Sequence, residues 1–199
     1  MSYFFTAFLF SVALTLLIKK LALKLKIVDL PDGQRKAHKE PVALLGGIAI
    51  FLSFWLVVGY LVLFNPILGI DILANKLFWV FLASIILIIL GIFDDVKQLP
   101  PKLRLVITAI ACLVAIFGGL SLEKITNPFG GVIILNNFFI LAGLIVFVWL
   151  MGMMYTTKVL DGLDGLTTGI ALIAAMMIFF LTNTQKYFQP NVGLIALIF

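Results

Sequence analysis

Charged residues are scarce in this chain. They make up 12% of its 199 residues, whereas 63% of the residues are hydrophobic. A soluble domain carries about 25% charged residues, so this chain lacks the polar side chains that would cover a surface in water. The mean hydropathy of +1.24 agrees. The composition therefore excludes an ordinary soluble domain and indicates a membrane protein.

Two further absences narrow the class of membrane protein to which the chain can belong. Cys112 is the only cysteine, so no disulfide can form within the chain. It lies inside an apolar run, where a thiol packs as a small hydrophobic group. Residues 1–5 contain no basic side chain, which is unlike a cleaved signal peptide. We therefore expect the first apolar run to remain as a membrane helix, with the N-terminus outside.

Long apolar runs dominate what is present. A membrane-spanning helix needs about 20 predominantly apolar residues, and short runs can be extended by their flanks. Six runs qualify: Tyr3–Ile18, Leu44–Phe64, Leu77–Phe93, Leu105–Leu120, Phe138–Tyr155 and Leu166–Leu181. We predict an all-α, polytopic membrane helix bundle with six full transmembrane helices and the start of a seventh at Val192. Residues 1–199 are expected to be a single membrane domain, the N-terminal portion of a longer chain.

Basic residues predict the orientation of these helices. Alternating the loops across the membrane leaves only Lys76, Lys124 and Lys186 of the 14 Lys and Arg residues on one side. By the positive-inside tendency, the other side is cytoplasmic. Acidic residues contribute little to topology, yet most share the cytoplasmic side: Asp29, Asp32, Glu40, Asp94, Asp95, Asp161 and Asp164. Their clustering calls for another explanation.

The first cytoplasmic segment, "VDLPDGQRKAHKEPVALLGG", is rich in cations. It concentrates Arg35, Lys36, His38 and Lys39 in five positions. Cationic side chains form strong charge-assisted bonds to phosphate oxygens, although a solvated loop has a similar composition. His38, the sole histidine, is a candidate base or phosphate donor, and an ordinary surface histidine is the alternative.

The second segment, "GIFDDVKQLPPKLR", places Asp94 and Asp95 where the third helix leaves the membrane. Adjacent carboxylates repel each other, and acids at a helix C-terminus oppose its dipole. Local stability thus argues against them, which favours a functional role. Mg²⁺ held by carboxylates and substrate phosphates would relieve the repulsion. Lys102 and Arg104 follow at the start of the fourth helix.

The third segment, "KVLDGLDGLTTG", carries Asp161 and Asp164 three residues apart. At that spacing, both carboxylates lie on one face of a helix. Helix capping and close packing of the glycines would explain one aspartate and leave the second unexplained. Because an ionisable group at membrane depth costs about 2.5–3.5 kcal/mol, a functional use is the default hypothesis. Four carboxylates and a group of cations together indicate metal-assisted phosphate chemistry.

In order and spacing, these three segments resemble the polyprenyl-phosphate N-acetylhexosamine-1-phosphate transferase family. The resemblance implies transfer of a sugar 1-phosphate from a UDP-sugar to a polyprenyl phosphate, usually undecaprenyl phosphate, at the cytoplasmic face of the plasma membrane. UMP is released, Mg²⁺ or Mn²⁺ is required, and the product begins cell-wall or surface-polysaccharide synthesis. The stretch "PVALLGG" stands where phospho-MurNAc-pentapeptide translocases usually read "TPTMGG", so the chain looks closer to the GlcNAc-1-phosphate transferase branch.

The resemblance also implies roles for individual residues. Asp94 and Asp95 match the paired aspartates assigned to metal binding and lipid-phosphate activation. Asp161 and Asp164 match a second acidic motif assigned to catalysis or nucleotide binding, and the implied metal ligands are Asp94, Asp95 and Asp161. Direct attack by the lipid phosphate, with Asp94 as base and Asp95 near the metal, is favoured over attack by an aspartate. The predicted substrate-binding residues are Arg35, Lys36, His38, Lys39, Lys102, Arg104 and Lys158.

Two departures from the family pattern stand out. Lys158 occupies a position where the family usually has an asparagine that organises the metal and the diphosphate; a charged lysine cannot bind the metal but can bind the diphosphate. The chain also ends before a later aspartate motif and a histidine-rich loop. We therefore expect this piece alone to be inactive.

Three other functions are alternatives to this one. An ion-coupled transporter would also bury acids between broken helices, but near the membrane midplane and often in repeated halves. An inactive, degenerate membrane fragment is a further alternative, and a CDP-alcohol phosphotransferase fits less well because Asp161-Gly162 is not followed by Ala-Arg. The expected partners are a UDP-sugar, undecaprenyl phosphate and the lipid bilayer, without nucleic acid; a homodimer is left open.

Overall fold

The computed structural model describes residues 2–29, 41–64, 71–127, 130–135, 138–160, 162 and 165–182. These residues contain six α-helices: α1 (Ser2–Lys24), α2 (Gly46–Phe64), α3 (Asp71–Lys97), α4 (Pro101–Phe117), α5 (Phe139–Leu160) and α6 (Leu166–Thr182). They also contain two short antiparallel strand pairs, β1 (Val28–Asp29) with β2 (Val42–Ala43), and β3 (Lys124–Thr126) with β4 (Val132–Ile134). The predicted helical class is confirmed.

The predicted number of membrane spans is not matched. Among the described helices, α1, α2, α3 and α5 are long and apolar enough to cross a bilayer. The other two, α4 and α6, have 17 residues each. At 1.5 Å per residue such a helix is about 26 Å long, shorter than the hydrocarbon core of about 30 Å. By length and composition, four of the described helices are thus candidate spans, against the six full transmembrane helices predicted, and the seventh run, from Val192, lies outside the described residues.

The surfaces of the described helices suit a lipid environment. Large apolar side chains point outward, including Leu63 with 77% and Ile140 with 86% of its surface exposed. Hydroxyl groups in the helices bond back to their own backbone; that of Thr15 donates to the Ser11 carbonyl oxygen at 2.7 Å. Such bonds satisfy polar groups where no water is available. The chain is a membrane protein.

The chain divides into two compact units. The first takes its described residues from 1–69, 88–100 and 172–199, and the second from 70–87 and 101–171. The expectation of a single membrane domain stays a prediction.

In the first unit, α1 packs against the start of α2. Small side chains at the contact allow the two helix backbones to approach closely. The buried cluster consists of Ile18, Ala22, Leu45 and Ala49, with Leu14, Ile27, Ala43, Ile48 and Ile92 packed against it. Ile92 belongs to the last turns of α3, so the end of that helix packs against the same cluster.

A strand pair connects α1 to α2. After α1, Lys26 adopts a positive φ of 58°, and the Ile27 N–H donates to the Ala22 carbonyl oxygen at 2.9 Å, which terminates the helix. Val28 of β1 then pairs with Ala43 of β2, and Asp29 pairs with Val42. This pairing brings together the two ends of the basic segment. Its candidate residues Arg35, Lys36, His38 and Lys39 lie outside the described residues.

The second unit is built around α4 and α5. A Cβ added at Gly143 would lie 3.6 Å from Cγ2 of Ile116, so the helices are in close contact there. Cys112 is buried with 1% of its surface exposed, as expected for a packing role. The chain between the two helices forms the β3–β4 hairpin, in which Ile125 pairs with Ile133.

Candidate functional site

Asp94 terminates helix α3 with both its backbone and its side chain. Its carbonyl oxygen accepts the Gln98 N–H at 2.8 Å, and Gln98 has a positive φ of 48°. The next amide, that of Leu99, donates to Oδ1 of the Asp94 carboxylate at 3.0 Å. At many helix ends, a backbone carbonyl of the last turn accepts a hydrogen bond from the N–H at this position. Here the Asp94 side chain takes the place of that carbonyl. The carboxylate is thereby oriented at the helix end.

Asp95 bonds to a different part of the chain. The Leu45 N–H, 50 residues away in sequence, donates to Oδ2 of Asp95 at 3.4 Å. Leu45 immediately precedes α2, and its carbonyl oxygen accepts the Ile48 N–H in the first turn of that helix. The end of α3 and the start of α2 therefore meet at the Asp95 carboxylate.

The backbone of Leu45 is strained. Its φ is +70°, in the left-handed region, although it is a leucine with only 8% of its surface exposed. For a residue with a Cβ, this conformation costs roughly 1–2 kcal/mol. Residues that precede a helix normally adopt an extended conformation. Strain of this kind persists only where the surrounding contacts over-determine the backbone.

Three predicted substrate-binding residues lie in the second unit. Lys102 and Arg104 are in the first turn of α4, and Lys158 is in the last turn of α5. All three are described, whereas Asp161 and Asp164, which follow α5, lie outside the described residues. The structure therefore brings together Asp94 and Asp95 in the first unit. Their expected approach to the other candidate residues stays a prediction.

The paired carboxylates fit a hard divalent cation. A carboxylate offers about four acceptor positions on two oxygens, so one backbone hydrogen bond does not prevent coordination. Mg²⁺ is commonly held by one or two carboxylates together with substrate phosphates. Among the residues that the structure describes, no group of three or more His, Cys, Asp or Glu is placed to hold a metal. The third predicted ligand, Asp161, lies outside the described residues.

Sequence reasoning missed the two backbone amides that orient the carboxylates. One signal was available near Leu99, because a residue before proline avoids the helical conformation; Leu99 precedes Pro100, so α3 is expected to end before Leu99. No comparable signal marks Leu45, since leucine has no preference for a positive φ.

These features define a polytopic membrane protein with an oriented pair of carboxylates at a helix end. The chain belongs to glycosyl transferase family 4, whose sequence profile matches residues 77–199. The family predicted from the three motifs is thus confirmed. No solved structure gives a significant match to the chain.

Named relatives agree with the family. The chain is 33% identical over 168 residues to the undecaprenyl-phosphate alpha-N-acetylglucosaminyl 1-phosphate transferase of Thermotoga maritima, covering 83% of this chain and 47% of that protein. It is 29% identical over 173 residues to a probable undecaprenyl-phosphate N-acetylglucosaminyl 1-phosphate transferase of Bacillus subtilis, covering 85% of this chain and 44% of that protein. The chain thus spans less than half the length of these relatives. Their names do not favour the transporter alternative.

Proposed function

We propose that the protein transfers a sugar 1-phosphate, GlcNAc-1-phosphate in particular, from a UDP-sugar to undecaprenyl phosphate. The family and the names of the relatives support this reaction. The observation that carries it is the pair Asp94 and Asp95, oriented by backbone amides at the end of α3. The lipid-linked product would begin cell-wall or surface-polysaccharide synthesis.

The reaction exchanges one phosphorus–oxygen bond for another. An oxygen of the lipid phosphate attacks the phosphorus that carries the sugar. The bond from that phosphorus to the bridging oxygen breaks, and UMP leaves with the electron pair. Asp94 acts as the base that keeps the lipid phosphate deprotonated, and Asp95 would help to hold the metal. Phosphoryl transfer depends mainly on positioning and on neutralising charge, and both carboxylates belong to a fixed helix end.

Charge balance in the site comes from a metal and from cationic side chains. When bound, Mg²⁺ or Mn²⁺ supplies neutralisation of the charge on the diphosphate. Asp94, Asp95 and Asp161 would hold it, and Asp164 would act with them in catalysis or nucleotide binding. The diphosphate and the lipid phosphate would be bound by Arg35, Lys36, His38, Lys39, Lys102, Arg104 and Lys158.

The orientation follows from the distribution of basic residues. This orientation keeps the predicted alternation of the loops, in which α4 also crosses the membrane, since a short helix is accommodated by local thinning of the bilayer. By the positive-inside tendency, the ends of α1, α3 and α5 and the start of α4 then face the cytoplasm. Asp94 and Asp95 then lie on the side where UDP-sugars are made. The phosphate of the lipid acceptor sits at the same membrane surface, so both substrates reach the site from one side. Nucleic acid is not expected as a partner, and a homodimer stays a prediction.

Lys158 offers a test of how the UDP-sugar is bound. We expect Lys158→Met to raise the KM for the UDP-sugar about tenfold and to change kcat little, because a charge-assisted bond to the diphosphate forms before and during the reaction. The measurement is initial rate against UDP-sugar concentration in the protein expressed from its complete native gene. Lys124→Met, a lysine of β3 on the predicted opposite face, is the matched control. A fall in kcat at unchanged KM would contradict a binding role.

An assay for lipid-linked product tests the proposed function. Membranes containing the protein expressed from its complete native gene are incubated with UDP-GlcNAc radiolabelled in the sugar, undecaprenyl phosphate and Mg²⁺. We expect the label to enter butanol-extractable lipid, and EDTA to abolish the transfer until excess Mg²⁺ or Mn²⁺ restores it. If label is transferred only from another UDP-N-acetylhexosamine, the reaction class stands and only the proposed donor sugar changes. No transfer from any such donor would refute the function.

A further inference from the structure

Leu45 combines three features. Its φ is +70°, its side chain is buried, and its N–H donates to a carboxylate of the candidate site. A glycine or asparagine would adopt this conformation more readily. Leu45 therefore holds an unfavourable backbone conformation at a point that contacts Asp95.

Contacts on both sides of Leu45 enforce this conformation. Before it, the Leu44 N–H donates to the Ile27 carbonyl oxygen at 3.2 Å, which continues the β1–β2 pairing. After it, the Leu45 carbonyl oxygen accepts the Ile48 N–H at 3.1 Å. Its side chain packs in the cluster with Ile18 and Ala22. The strand pair, the helix start and the buried cluster together fix where the Leu45 N–H points.

The direction of that N–H constrains the orientation of the Asp95 carboxylate. The last side-chain torsion of an aspartate is broad and is weakly restricted by the backbone. A hydrogen bond to Oδ2 restricts that torsion and, with it, the direction of Oδ1. Helix α3 does not require the bond for its own termination, because Asp94 already accepts the Leu99 amide. The contact thus acts on Asp95 itself.

We infer that Leu45 is a positioning residue for Asp95, its left-handed backbone holding the carboxylate in the orientation that the transfer reaction uses. The inference rests on the proposed function. Because β2 leads directly into Leu45, the same backbone also fixes the C-terminal end of the basic segment relative to Asp95. Positioning matters here because a displacement of about 1 Å can lower a rate a hundredfold.

Hydrogen exchange tests the contact without substrate or metal. In metal-free detergent micelles, mass spectrometry with fragmentation resolves the exchange rate of the Leu45 amide. We expect Asp95→Ala to speed exchange of this amide about tenfold, since it loses a charged acceptor. Asp94→Ala is the matched control: it removes the neighbouring carboxylate, and its effect falls on the Leu99 amide. Equal Leu45 exchange in the native protein and in Asp95→Ala would overturn the inference.

Two substitutions of Leu45 test its effect on the reaction. Leu45→Gly accepts a positive φ and keeps the N–H in place while removing the buried side chain. Leu45→Val keeps an apolar side chain, but its branched Cβ disfavours a positive φ and turns the N–H away from Asp95. We expect kcat to fall about tenfold or more in Leu45→Val with an unchanged KM for the UDP-sugar, and to stay within about threefold of native in Leu45→Gly.

Ile18→Val separates positioning from packing. It shortens a side chain of the same buried cluster and alters no bond to Asp95. If Leu45 only supports the fold, kcat in all three variants will follow their melting temperatures, and Leu45→Gly will lose as much activity as Leu45→Val; that pattern would overturn the inference. Should the native protein transfer no sugar phosphate, the proposed function fails, while the exchange experiment still decides whether Leu45 orients Asp95.

Discussion

Asp94→Asn and Asp95→Asn should each lower kcat for sugar-phosphate transfer by about a hundredfold to a thousandfold, the scale of loss when one preorganised group that stabilises transition-state charge, such as an oxyanion-hole donor, is removed. Asparagine keeps a side-chain oxygen that can accept the Leu99 or the Leu45 N–H. It removes the negative charge with which the carboxylate binds a metal or accepts a proton. The measurement is kcat and melting temperature in the protein expressed from its complete native gene.

Alanine variants separate the chemical role of each aspartate from its structural one. Asp94→Ala also removes the acceptor of the Leu99 N–H, which we expect to lower stability by about 1 kcal/mol. Asp94→Asn should therefore combine this lowered kcat with a near-native melting temperature, and Asp94→Ala should combine a similarly lowered kcat with a lower melting temperature. Glu123→Gln, an exposed acid on the predicted opposite face, is the control and should remain active. Native-like turnover in both asparagine variants would show that the two aspartates take no part in the reaction.

The sequence predicted the placement of the paired aspartates well. The apolar run Leu77–Phe93 indicated where α3 crosses the membrane, and the helix extends to Lys97, one turn further. Pro100-Pro101 marked the break before α4, which begins at Pro101. These features are local, because hydrophobicity and proline geometry act over a few residues. Asp94 and Asp95 were thus placed at a helix end from the sequence alone.

The contacts that orient these aspartates could not be predicted in the same way. The bond from Leu45 to Asp95 joins residues 50 positions apart, and the β1–β2 pairing involves only two residues from each strand. Neither has a periodic pattern. The positive φ of Leu45 is imposed by its neighbours and opposes its own preference. Such features depend on tertiary packing, which a single sequence does not display.

The number of spans shows the limit of counting apolar residues. The run Leu105–Leu120 includes Gly118 and Gly119, but α4 ends at Phe117 because Gly119 adopts a φ of +95°. The Leu120 N–H then bonds back to the Ala115 carbonyl oxygen at 3.2 Å, which is a usual way for a helix to end at glycine. Hydrophobicity continues past the point where the helix stops.

Gly118→Ala should strongly destabilise the second unit. A Cβ built at Gly118 would overlap Cβ and Cγ of Trp79 on α3 and would lie 2.9 Å from its Cδ1. The overlapped atoms belong to the rigid base of the tryptophan side chain, so a rotation at its far end cannot relieve the clash. Overpacking of this kind costs about 1–3 kcal/mol. We expect the melting temperature in detergent to fall by about 4 °C or more.

Two further variants show whether Trp79 causes the loss. Gly59→Ala in α2 meets no atom within 4 Å, so it should leave the melting temperature unchanged or raise it slightly, because alanine is the better helix former. Trp79→Phe keeps both Cβ and Cγ and should therefore fail to rescue Gly118→Ala. A native melting temperature for Gly118→Ala, or its full rescue by Trp79→Phe, would show that the rigid base of the Trp79 side chain does not limit the space at the end of α4.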